Sequence, residues 1–467
     1  MTKHSASTSS SKPRTVRPRR AARAGNLGAA VTSSRARKER SPRRSKKPAR
    51  PQASGLPVQP RLDPKILNLD GKRPSKRRPF LPPKVIDRQL HILMVGWEWP
   101  PNHSGGLGVH SFELCTELTK MGHSVTFLSP FPGPYTPVKG VTFRCPADEP
   151  EEPYPGAYEI GGSPGHWQEG DIERFNAWVA GFPIGGHHVI HVHDWFGTVG
   201  ASALARRSGR PLVMTVHSTE FDRSLGHPWT EILTRERSGL ASADLVIAVS
   251  EHLKRQLVER YGTPPAKVRV IYNAVRPNER LAPLAHSNKI VLYLGRLAAM
   301  KGVDTFLRAA ARVAPRKSPP LFVVAGEGPE SDRLLLLAAR LGIGDQVLFL
   351  GKVTDEERTT LLASASVFVL PSVVEPFGIA AAEAMAAGIP AIVSKTSGIA
   401  EITDSVFTVD FWDVDEFASR ISELLEYPAL RRAMGEAGRQ SMLREGWEER
   451  ALQTVGVYFE LITSGRR

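Results

Sequence analysis

From His91 onward the chain alternates short, mostly apolar runs with stretches of helical periodicity, and it does so twice. In the first half the runs are Ile92–Val95, Val125–Leu128, Val189–Val192, Leu212–Val216, Leu245–Val249 and Val268–Ile271, with helical patterns such as His110–Met121 and Glu251–Tyr261 between them. In the second half they are Ile290–Leu294, Leu321–Ala325, Val347–Leu350, Val367–Leu370 and Ala391–Val393, interleaved with Lys301–Val313, Pro329–Leu341, Asp355–Ala363 and Ile379–Ala387. Runs that stay apolar through several residues suit strands buried on both faces, and their alternation with helices suits βαβ crossovers and a parallel sheet. The polar, proline-bearing stretch Arg276–Asn288 separates the two series, as an interdomain connection does. The expected fold class is α/β, with two doubly wound domains, residues 89–280 and 281–445, facing each other across a cleft. Helical patterns close the chain at Val414–Leu425, Ala429–Arg444 and Trp447–Ile462; the last, within residues 446–467, is expected to pack back on the first domain.

The first 90 residues have a different texture. They carry 25 of the 62 Lys and Arg but only four of the 47 acids (Glu39, Asp63, Asp70 and Asp87), a net +21 that leaves −6 for the rest of the chain. Rich in Ser, Arg, Pro and Ala, the segment cannot bury enough surface to offset its ordering entropy, so residues 1–88 read as a disordered basic tail. Its blocks Arg17–Arg23, Arg35–Arg50 and Lys72–Arg78 would contact any polyanion, and the plainer reading is a solvated tail without a ligand. The mildly acidic body gives no electrostatic reason to expect specific nucleic-acid binding. There is no run of about 18 apolar residues to form a transmembrane segment. The N-terminus lacks the apolar core of a secretory signal. Cys115 and Cys145 have neither metal nor redox spacing, and so few thiols suggest a reducing, cytoplasmic location.

Ligands of doubly wound sheets bind at the carboxyl ends of the strands, so the motifs there carry most of the functional information. In the second half, Gly295-Arg296 and Lys301-Gly302 follow a strand and precede a helix. Two cations there suit a diphosphate, Arg as a fork and Lys as a point charge, although a solvated loop would look the same. Gly326-Glu327-Gly328-Pro329 allows close backbone approach, or is a tight turn into a helix. Glu375-Pro376-Phe377-Gly378 enters the Ala-rich helix Ile379–Ala387, whose N-terminus is a ready anion site. Glu383 is an acid inside that helix and needs a partner, either ribose hydroxyls or a structural Arg or Lys.

In the first half, Gly105-Gly106-Leu107-Gly108 lets backbone reach across the cleft without forming the dinucleotide fingerprint. His191-Val192-His193-Asp194-Trp195 ends one strand; its clustered His and Asp hint at a metal, but no third ligand is placed by the sequence. His217 ends the next strand, where a satisfied core histidine is the competing reading.

An acid, Pro-Phe-Gly, and a second acid eight residues after the first resembles the signature of retaining GT-B glycosyltransferases of family 4 type, which include bacterial and archaeal glycogen and starch synthases. Gly-Arg-x4-Lys-Gly lies at the expected distance upstream. The resemblance spans roughly residues 91–460 and implies the GT-B fold, two Rossmann-like domains facing across a cleft. It implies that Arg296 and Lys301 hold the donor diphosphate and that Glu375 contacts donor-sugar hydroxyls near the reacting carbon. Backbone at Phe377 and Gly378 would hold sugar and phosphate, Glu383 the ribose, and backbone around Gly351–Val353 the base. Gly105-Gly106-Leu107 and His193-Asp194-Trp195 are similar to elements of glycogen and starch synthases. That similarity places Gly105 and Gly106 at the diphosphate, Asp194 in the active site and His217 on the donor sugar. Two departures are Ala274, where the family usually has Gly, and the single glycine of Ser397-Gly398 where two are common.

The resemblance implies a hexosyltransferase moving glucose from ADP-glucose or UDP-glucose onto an α-glucan with retention. The nucleotide sugar is a co-substrate, and neither a metal nor another cofactor is expected. A lipid or small-molecule acceptor, as for a mannosyltransferase, and a GT-B nucleotide-sugar epimerase are the alternatives. A degenerate domain recruited by the basic tail is a further one, and the intact acid and cation pairs speak against it.

Overall fold

Seven parallel strands build the first sheet, in the order β3-β2-β1-β4-β5-β6-β7, and six build the second, in the order β10-β9-β8-β11-β12-β13. The computed structural model describes residues 88–101, 105–146, 169–276, 289–315, 318–444 and 446–464. The tail expected over residues 1–88, but for Arg88, lies outside them, as does the interdomain connection beyond Arg276. The first series runs β1 (His91–Val95), α1 (Gly106–Lys120), β2 (Ser124–Leu128), β3 (Val141–Arg144), α2 (Glu169–Gly181), β4 (Val189–His193), α3 (Thr198–Ser208), β5 (Leu212–Val216), α4 (Glu220–Arg223), α5 (Thr230–Ser242), β6 (Leu245–Ala248), α6 (Glu251–Tyr261) and β7 (Val268–Val270). The second runs β8 (Ile290–Leu294), α7 (Val303–Val313), β9 (Leu321–Ala325), α8 (Ser331–Arg340), β10 (Val347–Gly351), α9 (Asp355–Ser364), β11 (Val367–Leu370), α10 (Ile379–Ala386), β12 (Ala391–Ser394), β13 (Phe407–Val409), α11 (Val414–Glu426), α12 (Pro428–Leu443) and α13 (Trp447–Ser464).

Both sheets are doubly wound, and in each the strand order reverses once. The reversal falls between β1 and β4 in the first sheet and between β8 and β11 in the second. The central strands are buried at nearly every position, as parallel strands covered on both faces must be. Alternation along β1 sends Leu93 and Val95 to one apolar cluster and Ile92 and Met94 to another. The second of these clusters also contains Ala451, Val455, Tyr458 and Phe459, so α13 lies against α1 and the first sheet. Tyr458 hydrogen-bonds His191 of β4 at 2.7 Å, and Glu460 pairs with Arg269 of β7 at 2.6 Å.

Two helices differ from their sequence expectation for a local reason. The pattern over Lys301–Val313 is broken at Gly302, which adopts φ 63° and separates a 3-10 turn (Ala299–Lys301) from α7. A Cβ there would fall 2.0 Å from the Pro371 carbonyl oxygen, so only glycine allows this turn. Helix α1 begins at Gly106, four residues before the expected start, because its glycine-rich first turn has no apolar periodicity to read.

Candidate active site

Most of the expected site residues collect at the two strand-order reversals, with His217 after the neighbouring β5 and Val353 after the edge strand β10. Gly105 and Gly106 follow β1 and Asp194 follows β4; Arg296 and Lys301 follow β8, and Glu375, Phe377 and Gly378 follow β11. A crevice opens at such points because neighbouring crossovers leave to opposite faces of the sheet.

On the second sheet, the turn at Gly302 brings Lys301 against the loop after β11. Its ammonium donates to both oxygens of Glu375, at 3.1 and 2.9 Å, and the hydroxyl of the fully buried Ser372 donates to one of them at 2.9 Å. The same loop is pinned from the far side. Gly398 N–H donates to the Glu375 carbonyl at 3.0 Å, and the Phe377 carbonyl accepts from Ile399 N–H at 2.7 Å and Ser397 Oγ at 3.2 Å. Gly378 sits at φ 104° and opens α10; a side chain there would meet Ser397 and Glu375. Arg296 is half-buried, and its carbonyl accepts from the Tyr293 hydroxyl at 2.9 Å.

Glu383, one turn into α10, pairs with Arg358 of α9. Burial pushes its carboxyl above the usual range, and Arg358 opposes that shift. Of the two partners open in the sequence, ribose hydroxyls or a basic side chain, the structure holds the second. Val353 is half-buried at the edge of a groove that it lines with Leu350, Lys352, Glu356, Glu357, Thr360 and Leu361.

The first sheet presents a different surface. Spacing by two puts His191 and His193 on one face of β4, and Thr215 and His217 follow on the same face of β5. That face looks toward α1 and α13. His191 is bonded on both ring nitrogens, to the Tyr458 hydroxyl and to Thr215 Oγ1, each at 2.7 Å. His193 Nδ1 meets His217 Nε2 at 3.1 Å, and His110 of α1 bonds Asn273 through Nδ1 at 2.7 Å while its ring lies 4.5 Å from that of His217. Burial holds His110 down at about 4, against the Asn273 hydrogen bond, and His191 at about 3, and takes His193 and His217 well below the ordinary value; repulsion from neighbouring imidazoles adds to it in the last three. All four imidazoles are neutral at physiological pH.

Asp194 stands beside this cluster at φ 52°, an unusual conformation for a residue with a side chain. Its Oδ1 accepts from His217 N–H at 2.7 Å, and its own N–H donates to the Thr215 carbonyl at 2.9 Å. Burial raises its carboxyl to about 7, against the pull of Arg223 and of the His217 N–H. Nothing in the sequence singles out Arg223. It spans Glu220 at 3.2 Å and Glu236 at 2.5 Å, and it donates to Ser218 O at 3.1 Å and Ser218 Oγ at 2.9 Å. The turn that carries His217 is thus clamped from behind by a buried ion cluster. The only local trace of it is the capping box of Thr219 and Asp222 that starts α4.

The two sheets meet at these loops. A Cβ on Gly106, the first residue of α1, would lie 2.8 Å from Cδ1 of Ile379, the first residue of α10. Gly105 has open space around it and an ordinary extended backbone, so of the two glycines it is Gly106 that close approach requires. The ring of Tyr272 lies 6.4 Å from that of Phe377, and Glu401 accepts from Glu251 N–H and His252 N–H at the start of α6, both at 2.7 Å. Two helix N-termini therefore converge; neither N-cap, Gly105 nor Gly378, supplies a side-chain acceptor, although the buried Glu98 carboxylate accepts from Gly108 N–H in the first turn of α1 at 3.1 Å. With Arg296 and Lys301 alongside, the arrangement suits an anion with several oxygens, flanked on one side by carboxylate and on the other by neutral polar groups.

Known proteins resemble this chain in sequence and in fold. Residues 104–279 match the family described as Glycosyltransferase Family 4, and residues 277–441 match Glycosyl transferases group 1. An uncharacterized glycosyltransferase of Methanocaldococcus jannaschii is 31% identical over 396 residues, covering 79% of this chain and 98% of that protein. The glycogen synthase of Mycobacterium tuberculosis is 30% identical over 407 residues, covering 79% of this chain and 94% of that protein. The structure of a sucrose-phosphate synthase from Thermosynechococcus elongatus superposes with a TM-score of 0.67 at 24% identity, covering 80% of this chain and all of that one.

Proposed function

Given that the chain belongs to the family 4 glycosyltransferases and has the GT-B fold, we propose that it transfers a hexose from a nucleotide sugar to a glycan hydroxyl with retention, with glucose from ADP-glucose or UDP-glucose and an α-glucan as the donor and acceptor. The observation that carries the reading is the Lys301–Glu375 pair at the start of α10, where α1 and α10 converge. The glycogen synthase among the relatives supports the glucan assignment. The reaction is taken to run in the cytoplasm and to need no metal.

Lys301 exchanges partners in this scheme. A diphosphate offers its ammonium a more highly charged acceptor than Glu375 does, and Arg296 a forked one. Glu375, still held by Ser372, is then free to accept from hydroxyls of the donor sugar. His217 meets the sugar from the first sheet as a neutral imidazole whose backbone N–H is fixed by Asp194. As the bond from the anomeric carbon to the diphosphate breaks, negative charge grows on the leaving oxygen beside Arg296, Lys301 and the N-termini of α1 and α10, all placed beforehand. Positive charge grows on the sugar beside Glu375 and Asp194. The acceptor oxygen attacks from the face the diphosphate leaves, and its proton passes to the departing phosphate oxygen. Glu383 leaves Arg358 for the ribose, and the base rests near Val353.

The test is a donor-by-acceptor screen of the full chain, with glycogen and maltose among the acceptors and anomeric protons followed by NMR. An α-linked glucan extended from an α-linked glucose donor is the expected result. A β-linked product sinks retention, and transfer restricted to lipid or small polyol acceptors sinks the glucan assignment.

A further inference from the structure

Three imidazoles from three elements share one buried corner of the first sheet. One nitrogen from each of His110, His193 and His217 lies within 4.8 Å of the other two. Asn273 fixes the orientation of His110: Nδ1–H donates to Asn273 Oδ1 at 2.7 Å, so the lone pair is on Nε2, which is buried without a hydrogen-bond partner. His193 Nε2 is buried without one as well. Buried polar atoms normally have partners, and His191, on the same strand, has both of its own. The lone pair on His110 Nε2, buried beside His193 Nδ1 and His217 Nε2, calls for an occupant that accepts it.

We propose that His110, His193 and His217 form a site for a divalent transition ion of the zinc class, and that an ion bound there inhibits transfer by holding His217. Three nitrogens with no carboxylate among them suit Zn, Co, Ni or Cu rather than Mg or Ca. Three protein ligands leave a fourth tetrahedral position for water or a hydroxyl. Metal–nitrogen bonds of about 2.0–2.1 Å set ligand nitrogens roughly 3.4 Å apart. The 3.1 Å contact between His193 and His217 is already close to that, and the wider separations, up to 4.8 Å, must contract. Neutral imidazole is the ligating form. Asn273 plays the supporting part, fixing the His110 tautomer with the lone pair on Nε2. The His193–His217 hydrogen bond is replaced by two metal bonds, and a change of tautomer in one ring turns its lone pair to the ion with no net loss of a proton. The inhibitory half of the proposal rests on the role given to His217 above; ion binding does not.

The experiment uses the full chain stripped with chelator and titrated with Co2+ as a spectroscopic probe. One equivalent should bind with the visible absorption of a tetrahedral nitrogen site, and Zn2+ should displace it. His110→Gln and His193→Gln should each weaken binding tenfold or more, and Asn273→Ala, which keeps all three ligands, by about tenfold. His227→Gln, at an exposed histidine outside the cluster, should change nothing. Absence of the visible band, or binding unchanged in folded His110→Gln and Asn273→Ala, overturns the site and leaves a water as its occupant. Zn2+ should lower kcat, as the loss of His217 does; Co2+ binding with transfer unaffected by Zn2+ overturns the inhibition alone. A chain inactive with every donor would still give the cobalt spectrum, so failure of the transferase reading and failure of the metal site can be told apart.

Discussion

The two sheets face their common site with opposite solutions to the cost of placing polar groups indoors. The second sheet uses opposite charges: Lys301 on Glu375, Arg358 on Glu383. The first sheet uses neutral imidazoles, and moves its ions one layer back, where Arg223 is shared between Glu220 and Glu236 beneath Asp194. A charge pair can trade partners when an anion arrives, because the incoming charge replaces the one that leaves. A desolvated neutral cluster has nothing to trade and acts as a preset wall. The difference separates a half built to change its contacts on binding from one built to keep them.

Breaking the tradable pair should have the largest effect. Lys301→Ala and Glu375→Ala should each lower kcat/KM by roughly 10²–10³-fold, the scale of losing a preset charge contact in a transition state. If steady-state assays find both variants unimpaired on every active donor, the exchange scheme is wrong.

Arg358→Met should destabilise the chain by about 3 kcal/mol at neutral pH, the loss expected when a buried carboxylate loses its cation. The folded pKa of Glu383 lies above its unfolded one, so its contribution to stability is fully present below the unfolded pKa and is lost as pH rises through the folded pKa. Without Arg358 the folded pKa climbs further, and the deficit of the variant should widen as pH rises and shrink in acid. Urea melts between pH 4 and 8 measure this; a deficit independent of pH would mean Glu383 is not the group exposed by the change.

On the preset wall, His217→Ala should lower kcat by about 10–100-fold, the equivalent of one hydrogen bond worth roughly 1.5–3 kcal/mol, with little change in nucleotide affinity. Equal loss in nucleotide binding by calorimetry would erase the distinction between the two halves. The smallest effect concerns the contact between them. Glu401→Ala removes the carboxylate that caps α6 from the other sheet and should cost about 1 kcal/mol in a denaturant melt. No measurable loss would mean that water caps α6 equally well.

Legibility in the sequence followed the same divide. Central strands such as β5, β8, β9 and β11 are legible to the residue because strands covered on both faces leave mostly apolar runs. β3 and β13 were missed: one is an edge strand with a half-exposed alternating pattern and the other has three residues. The residues of the second sheet's wall could be picked out because each hangs on a contiguous motif at a strand end. On the first sheet Asp194 and His217 were legible in the same way, and the His-x-His spacing already put two rings on one face. Nothing local pointed to His110 or Asn273 as their neighbours, or to Arg223 and Glu236 behind them. These residues come from separate elements, and their chemistry appears only when the elements stack.

The sequence by itself determined which side chains stand at the carboxyl ends of the strands, since periodicity and turn residues act over a few positions. Tertiary structure decided the pairings: Glu383 with Arg358, His110 with Asn273, Glu401 with the start of α6, and Gly106 against Ile379. The strength of such contacts depends on separation and burial between groups far apart in the chain. No local pattern encodes either quantity, so the identity of a partner, and with it the protonation behaviour of Asp194 and Glu383, was settled only when separate elements packed together.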